Sequence, residues 1–142
     1  MQSRISLLVL TMLASAVLTL HSPRAESGQE LMQYTGERNA TSRSFRARGP
    51  WLLTWRINSD YPEQAGVSVD LVDAKTGVFL KQVLRRGTLG WGRRDAVSGG
   101  YKLFRDEGEF RFEISATLAR YELKVEQLTA AEADALVPAG GD

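Results

Sequence analysis

Between Thr41 and Leu128 apolar and polar residues alternate with a period of two, and glycine and aspartate interrupt the alternation at intervals. This is the pattern of an antiparallel β protein. The clearest strand is "GPWLLTWRI", where Trp51, Leu53, Trp55 and Ile57 fall on one face and Leu52, Thr54 and Arg56 on the other. Pro50 suits a first strand position, where no ladder donor is needed. "NSDYPEQAG" reads as a loop, after which "VSVDLVD" alternates through Val67, Val69 and Leu71. "DAKTG", Asp73 to Gly77, is hairpin-turn chemistry with a glycine able to take positive φ. "VFLKQVLRR" mixes parities, with Val78, Leu80 and Leu84 on one and Phe79 and Val83 on the other, which predicts a bulge or a strand buried on both faces. In "SGGYKLFRDEGEFRFEISA" the inward residues are expected to be Tyr101 and Leu103, then Phe110, Phe112 and Ile114, with "RDEG" as a second hairpin turn. "YELKVEQL" sets Tyr121, Leu123 and Val125 inward against Glu122, Lys124 and Glu126.

The flanks carry weaker signals. Residues 26–40 show no sustained alternation and read as a flexible lead-in. "TAAEADALV" offers a Thr129 cap and strong helix formers, a helix that is marginal unless it docks through Leu136 or Val137, with "PAGGD" as a disordered tail. The fold expected is therefore all-β: a single antiparallel β-sandwich, jelly-roll-like, over residues 41–128, with a short helix or tail over 129–142.

The first residues change where this domain is expected to work. Arg4 gives a positive start, Ile5 to Leu20 form an apolar run, and Ser22-Pro23-Arg24-Ala25 breaks it, so residues 1–25 read as an export signal cleaved after Ala25. The competing reading is an uncleaved membrane anchor; against it, Ser6, Thr11, Ser15 and Thr19 interrupt the run, and a bilayer span takes about 20 mostly apolar residues. The expected location is periplasmic or secreted, without stable membrane insertion once the signal is removed. Removing the first 25 of 142 residues leaves 117, the size of one domain. It also removes Arg4 and Arg24, so 16 basic residues face 17 acidic ones and nothing in the charge balance points to nucleic acid.

Cysteine is absent, so neither a disulfide nor a lipid anchor on a cysteine is available. The one histidine, His21, lies in the signal, which leaves the processed chain with neither imidazole nor thiol. Nucleophilic sites built on Ser-His-Asp or Cys-His, histidine bases, and zinc, copper or haem sites on His or Cys ligands are thereby excluded from it. Carboxylate, lysine and tyrosine chemistry and oxygen-ligated calcium remain. No cofactor and no catalytic residue is assigned, and the domain is expected not to be an enzyme.

The succession "GPWLLTWRI", "VSVDLVDAKTG", "SGGYKL" and "YELKVEQL" resembles the small secreted β-sandwich modules of bacteria, broadly CUB-like or jelly-roll-like, over about residues 44–128. The resemblance rests on Gly-Pro-Trp opening a strand, Asp-x-x-x-Gly in a hairpin, Gly-Gly-Tyr starting a strand, and a last strand running from Tyr121 into Val-Glu-Gln. It implies recognition of carbohydrate or protein, sometimes as an accessory to a catalytic partner. CUB domains usually carry cysteines and sometimes calcium, and this chain has no cysteine.

The candidate contact site is "RRGTLGWGRR", in which Arg85, Arg86, Arg93 and Arg94 flank a glycine-rich connection holding Trp91. Its glycines lack dinucleotide or Walker spacing and a strand follows it, so it is not a phosphate loop. Guanidinium forks suit carboxylate, sulfate or phosphate, and Trp91 suits stacking on a sugar. The plainer reading is a solvated turn whose tryptophan covers a core edge. A second basic group, Arg38, Arg43, Arg46 and Arg48, forms no single stripe and is equally explained as edge-strand protection. Asp60, Glu63, Asp70, Asp73, Asp106, Glu107 and Glu109 are the candidate acids, but no pair can be placed across one groove as a glycosidase requires, and no EF-hand spacing is present. Trp51 and Trp55 read as core. The expectation is an exported, non-catalytic binding or accessory module for an anionic or carbohydrate envelope polymer or another envelope protein. The alternatives are a structural or assembly component that pairs through an exposed strand edge, and a carboxylate-based hydrolase.

Overall fold

The computed structural model describes residues 28–87 and 97–137. Nine strands precede one helix: β1 Gln29–Gly36, β2 Ala40–Thr41, β3 Phe45–Ala47, β4 Trp51–Asn58, β5 Gly66–Asp73, β6 Phe79–Arg86, β7 Val97–Phe104, β8 Gly108–Thr117, β9 Arg120–Gln127 and α1 Ala130–Leu136. They form two antiparallel sheets, one ordered β1-β9-β4-β7 and the other β2-β8-β5-β6, with β3 also pairing β8. The β5–β6 hairpin sits at the centre of a nested series in which β4 pairs β7, β2 and β3 pair β8, and β1 pairs β9. Pairing of β4 with β9 and of β5 with β8 closes that ribbon into two layers. This is the jelly-roll arrangement of an all-β sandwich. No helix among the described residues is long and apolar enough to cross a membrane.

The alternation read in β4, β5, β8 and β9 is the alternation of the core. Trp51, Leu53, Ile57, Val67, Val69, Leu71, Phe112, Leu123 and Val125 are almost wholly buried, and Trp55 nearly so. Trp51 stacks on Phe104 with ring centroids 4.1 Å apart and packs edge-on to Phe45 at 5.3 Å, so it joins residues of both sheets. Its indole N–H donates to the Asp106 carbonyl at 3.0 Å, which removes the desolvation cost of a buried donor. The mixed parity of β6 is a pair of register shifts against β5, at Val69/Asp70 and Leu71/Val72, and both Val83 and Leu84 are buried. At the β5–β6 turn the Asp73 carboxylate accepts hydrogen bonds from Thr76 N (2.7 Å), Thr76 Oγ1 (2.9 Å) and Lys75 N (2.9 Å), and Gly77 takes φ 72°.

Three expectations are corrected. Gln29–Gly36, expected within a flexible lead-in, form an edge strand whose Met32 is fully buried; one core residue in eight leaves no visible alternation. "RDEG" is not a hairpin turn, because β7 and β8 belong to different sheets and the segment crosses between them. In β7 the inward parity is the opposite of that expected: Phe104 is buried while Tyr101 is 58% exposed and Leu103 only half-buried. The cause is Gly100, which lies under the Trp55 ring; a Cβ there would come within 2.6 Å of Trp55 Cζ2. A strand whose inward residue has no side chain gives no alternation signal, and a one-residue slip exchanges its faces. α1 begins with the expected Thr129 cap, in a capping box with Glu132; Ala133 is buried, Leu136 half-buried and Val137 half-exposed.

Gly100→Val forces the valine methyls into the Trp55 ring and is expected to lower unfolding free energy by about 1–3 kcal/mol, with Trp55→Leu restoring part of the loss in the double variant; urea denaturation measures both. The hydrogen bonds from Thr76, and then from Lys75, hold the Asp73 carboxyl below the usual aspartate range. A carboxyl depressed in the folded state contributes stability above its unfolded value and loses it as pH falls through the folded one. Asp73→Asn is therefore expected to lower stability at neutral pH and to flatten its decline in acid, as read from thermal melts across pH 2 to 7.

Candidate functional site

One end of the sandwich collects the C-termini of β1, β4, β6 and β8 and the N-termini of β5, β7 and β9, as the pairs Gly36↔Tyr121, Asn58↔Arg120, Val97↔Asn58, Gly66↔Thr117 and Val67↔Arg86 require. Three open clefts lie at this end and share walls. The first, about 360 Å³, is lined by Thr35, Gly36, Glu37, Arg56, Asn58, Arg120, Tyr121 and Glu122. The second, about 280 Å³, shares Glu37, Asn58 and Arg120 with it and adds Ser59, Asp60, Tyr61, Leu118 and Ala119. A third, about 300 Å³, continues from Asp60 and Tyr61 along Pro62, Glu63 and Gln64. Together they make a groove that starts on the outer face of the β1-β9-β4-β7 sheet and runs along the β4–β5 loop.

The groove is built by interactions between distant segments. Ser59 is buried; its hydroxyl donates to the Leu118 carbonyl and accepts from the Tyr61 N–H at 2.9 Å, tying the β4–β5 loop to the β8–β9 turn. Arg120 fixes the same loop from the side, donating to Asn58 Oδ1 and Asp60 Oδ1, each at 3.0 Å. Tyr121 closes the third side: its hydroxyl donates to the Arg38 carbonyl at 2.9 Å, and Gly36 leaves the space it needs, since a Cβ there would sit 2.5 Å from that oxygen. Burial, and then the neighbouring Tyr34, raise the Tyr121 phenol above the ordinary tyrosine range. Leu118 holds φ 50°, a left-handed conformation that is costly for a residue with a side chain, and its side chain is half-exposed on the groove wall.

The polar groups then fall into two sets. Arg120, Asp60 and Asn58 are occupied with one another and serve as framework. Arg56 and Glu37 are exposed and make no hydrogen bond or ion pair with any described residue. Glu122, opposite Arg56 in register, accepts instead from Gln33 at 2.7 Å. Tyr61 stands 61% exposed on the rim. The groove thus offers a fork of guanidinium donors, a carboxylate acceptor and an aromatic face, an arrangement suited to a hydroxyl- or carboxylate-bearing ligand. No group of three or more His, Cys, Asp or Glu among the described residues is placed to hold a metal ion.

Of the arginine-flanked segment, Arg85 and Arg86 end β6 at this same end of the sandwich; Arg85 is exposed, Arg86 is half-buried with a buried, unbonded Nε. Trp91, Arg93 and Arg94 lie outside the described residues. Arg46 does not join them: it pairs with Glu109 at 3.3 Å beside the far end of β8, six residues along that strand from Ser115, which lies in register with Ser68, the partner of Arg85. That offset is about 20 Å along the strand. Trp51 and Trp55 are core residues. Sequence reasoning passed over Arg56, Asn58, Arg120 and Leu118 because they come from separate segments that only the topology unites; Arg56, a charge in an otherwise uncharged strand, was the one available signal. No protein-family model matches the chain, and no curated protein matches it.

In an alkaline absorbance titration of the chain's four tyrosines, one phenol is expected to ionise after the others and to disappear from the curve in Tyr121→Phe. A raised phenol favours the folded state below its unfolded value and loses that contribution as pH rises, so the same variant is expected to lose less stability than the parent between neutral and alkaline pH.

Proposed function

We propose that the protein is an exported binding module that recognises a hydroxyl-rich, anionic polymer of the cell envelope through the groove at the loop end of its sandwich, by contact and not by bond-making. The observation that carries this reading is the pairing of unoccupied groups with a fixed frame. The side chains of Arg56 and Glu37 have no partner among the described residues, while Ser59, Arg120 and Tyr121 tie down the segments around them. A site whose scaffold is internally satisfied loses little conformational entropy when a ligand arrives. Tyr61 adds an exposed ring on which a sugar face can stack. The connected clefts are open along their length, which suits an extended chain of units better than a small enclosed ligand. Within the groove Arg56 is the guanidinium that can receive an acidic unit. The apolar start of the chain and the absence of cysteine fit a domain that is exported and stabilised by its core alone.

The test is binding of the purified domain to acidic and neutral oligosaccharides by calorimetry, with Arg56→Gln and Tyr61→Ala as variants. Saturable binding to an acidic oligosaccharide, weakened about ten-fold or more by each substitution and reduced by salt, is the expected result. Binding that survives both substitutions, or turnover of the oligosaccharide by the parent, would overturn the reading.

A further inference from the structure

The edge strand β6 carries a second feature, separate from the groove. It ends its sheet, so its outward row of backbone N–H and C=O groups faces no further strand among the described residues. Its beginning is apolar and open: Val78 just before it and Phe79 and Leu80 within it are 57%, 58% and 42% exposed. Its end is basic, with Arg85 and Arg86 forming no hydrogen bond or ion pair with described residues and Arg86 Nε buried without an acceptor. No acidic residue lies in the strand. Sheet edges are ordinarily guarded by charge, proline or brevity. Here two of the three charges stand at one end and three large apolar side chains are left open at the other, where the third charge, Lys81, is paired with Asp106 at 2.8 Å.

We propose that β6 is a docking edge for an extended, acidic segment of a partner protein, added antiparallel as a further strand. Every pair of strands described in this fold is antiparallel, and continuing that ladder sets the partner's N-terminal half against Arg85 and Arg86 and its C-terminal half against Phe79 and Leu80. The complementary segment therefore carries carboxylates first and apolar residues last. A second copy of β6 is the poorer occupant, because antiparallel pairing would set its Phe79 and Leu80 against Arg86 and Arg85, which gives the guanidinium groups no anion and the apolar side chains no apolar partner.

The test uses the full domain and a dye-labelled eight-residue peptide with two glutamates near its amino end, valine and threonine in the middle, and phenylalanine and leucine near its carboxyl end. Fluorescence anisotropy is expected to show saturable binding that weakens about ten-fold in Arg85→Glu and in Phe79→Ser. The same peptide with lysines for glutamates, or N-methylated on alternate amides along its pairing edge, is expected to lose binding, and the reversed sequence to bind more weakly. Both substituted residues are exposed, and circular dichroism checks that each variant keeps its strands; should Phe79→Ser unfold, Arg85→Glu and the N-methylated peptide still decide. No binding, equal binding of the lysine peptide, or insensitivity to N-methylation overturns the proposal. So does a dimer in sedimentation that Phe79→Ser dissociates, since the occupant would then be a second copy. Loss of oligosaccharide binding in Arg56→Gln leaves this readout unchanged, so the two sites are judged independently.

Discussion

The fold depends on holding two sheets face to face without a covalent staple, and the aromatic cluster around Trp51 does most of that. Trp51 and Phe104 come from one sheet, Phe45, Phe110 and Phe112 from the other, and ring centroids between 4.1 and 6.0 Å link them. The indole N–H reaches the Asp106 carbonyl in the crossing between β7 and β8, so the cluster also fixes one of the connections between the layers. Four residues further along β4, Trp55 lies over Gly100 of the edge strand β7. One strand, β4, therefore supplies both anchors from a single face, and its other face is left to carry Arg56 toward the groove.

This division shapes the candidate site. The strands β4, β8 and β1 finish here, and the turns beyond are held by specific hydrogen bonds from Ser59, Arg120 and Tyr121 beside the small buried residues Ala65 and Ala119. Polar fixation leaves the end of the sandwich open, with Tyr61 exposed and the side chains of Arg56 and Glu37 without partners among the described residues. A loop end fixed by a scaffold is where β-sandwiches commonly place recognition.

Most of the fold was legible because the side-chain period of a half-buried strand is unambiguous when every inward position is large, as in Trp51-Leu53-Trp55-Ile57 or Tyr121-Leu123-Val125. Legibility failed where the inward residue was small or solitary. Gly100 concealed the phase of β7, and Met32 alone did not announce β1. It failed again for partners: alternation tells which face a residue occupies but not which strand it meets, so "RDEG" gave no sign of passing between sheets. The groove was beyond sequence reasoning for the same reason, since Glu37, Arg56, Tyr61, Leu118 and Arg120 converge only through the nested pairing of β1, β4, β8 and β9. What was legible near it was charge: Arg85 and Arg86 do end a strand at that end of the molecule.

The central claim is that recognition resides at this loop end and not on the sheet faces or at the β5–β6 turn. Backbone amide chemical-shift mapping during titration with an acidic oligosaccharide tests it directly. The account predicts perturbations concentrated at Arg56, Asn58 to Tyr61 and Leu118 to Arg120, with the Asp73–Gly77 turn at the far end unmoved. Shifts centred on that turn, or spread evenly over both sheets, would contradict it.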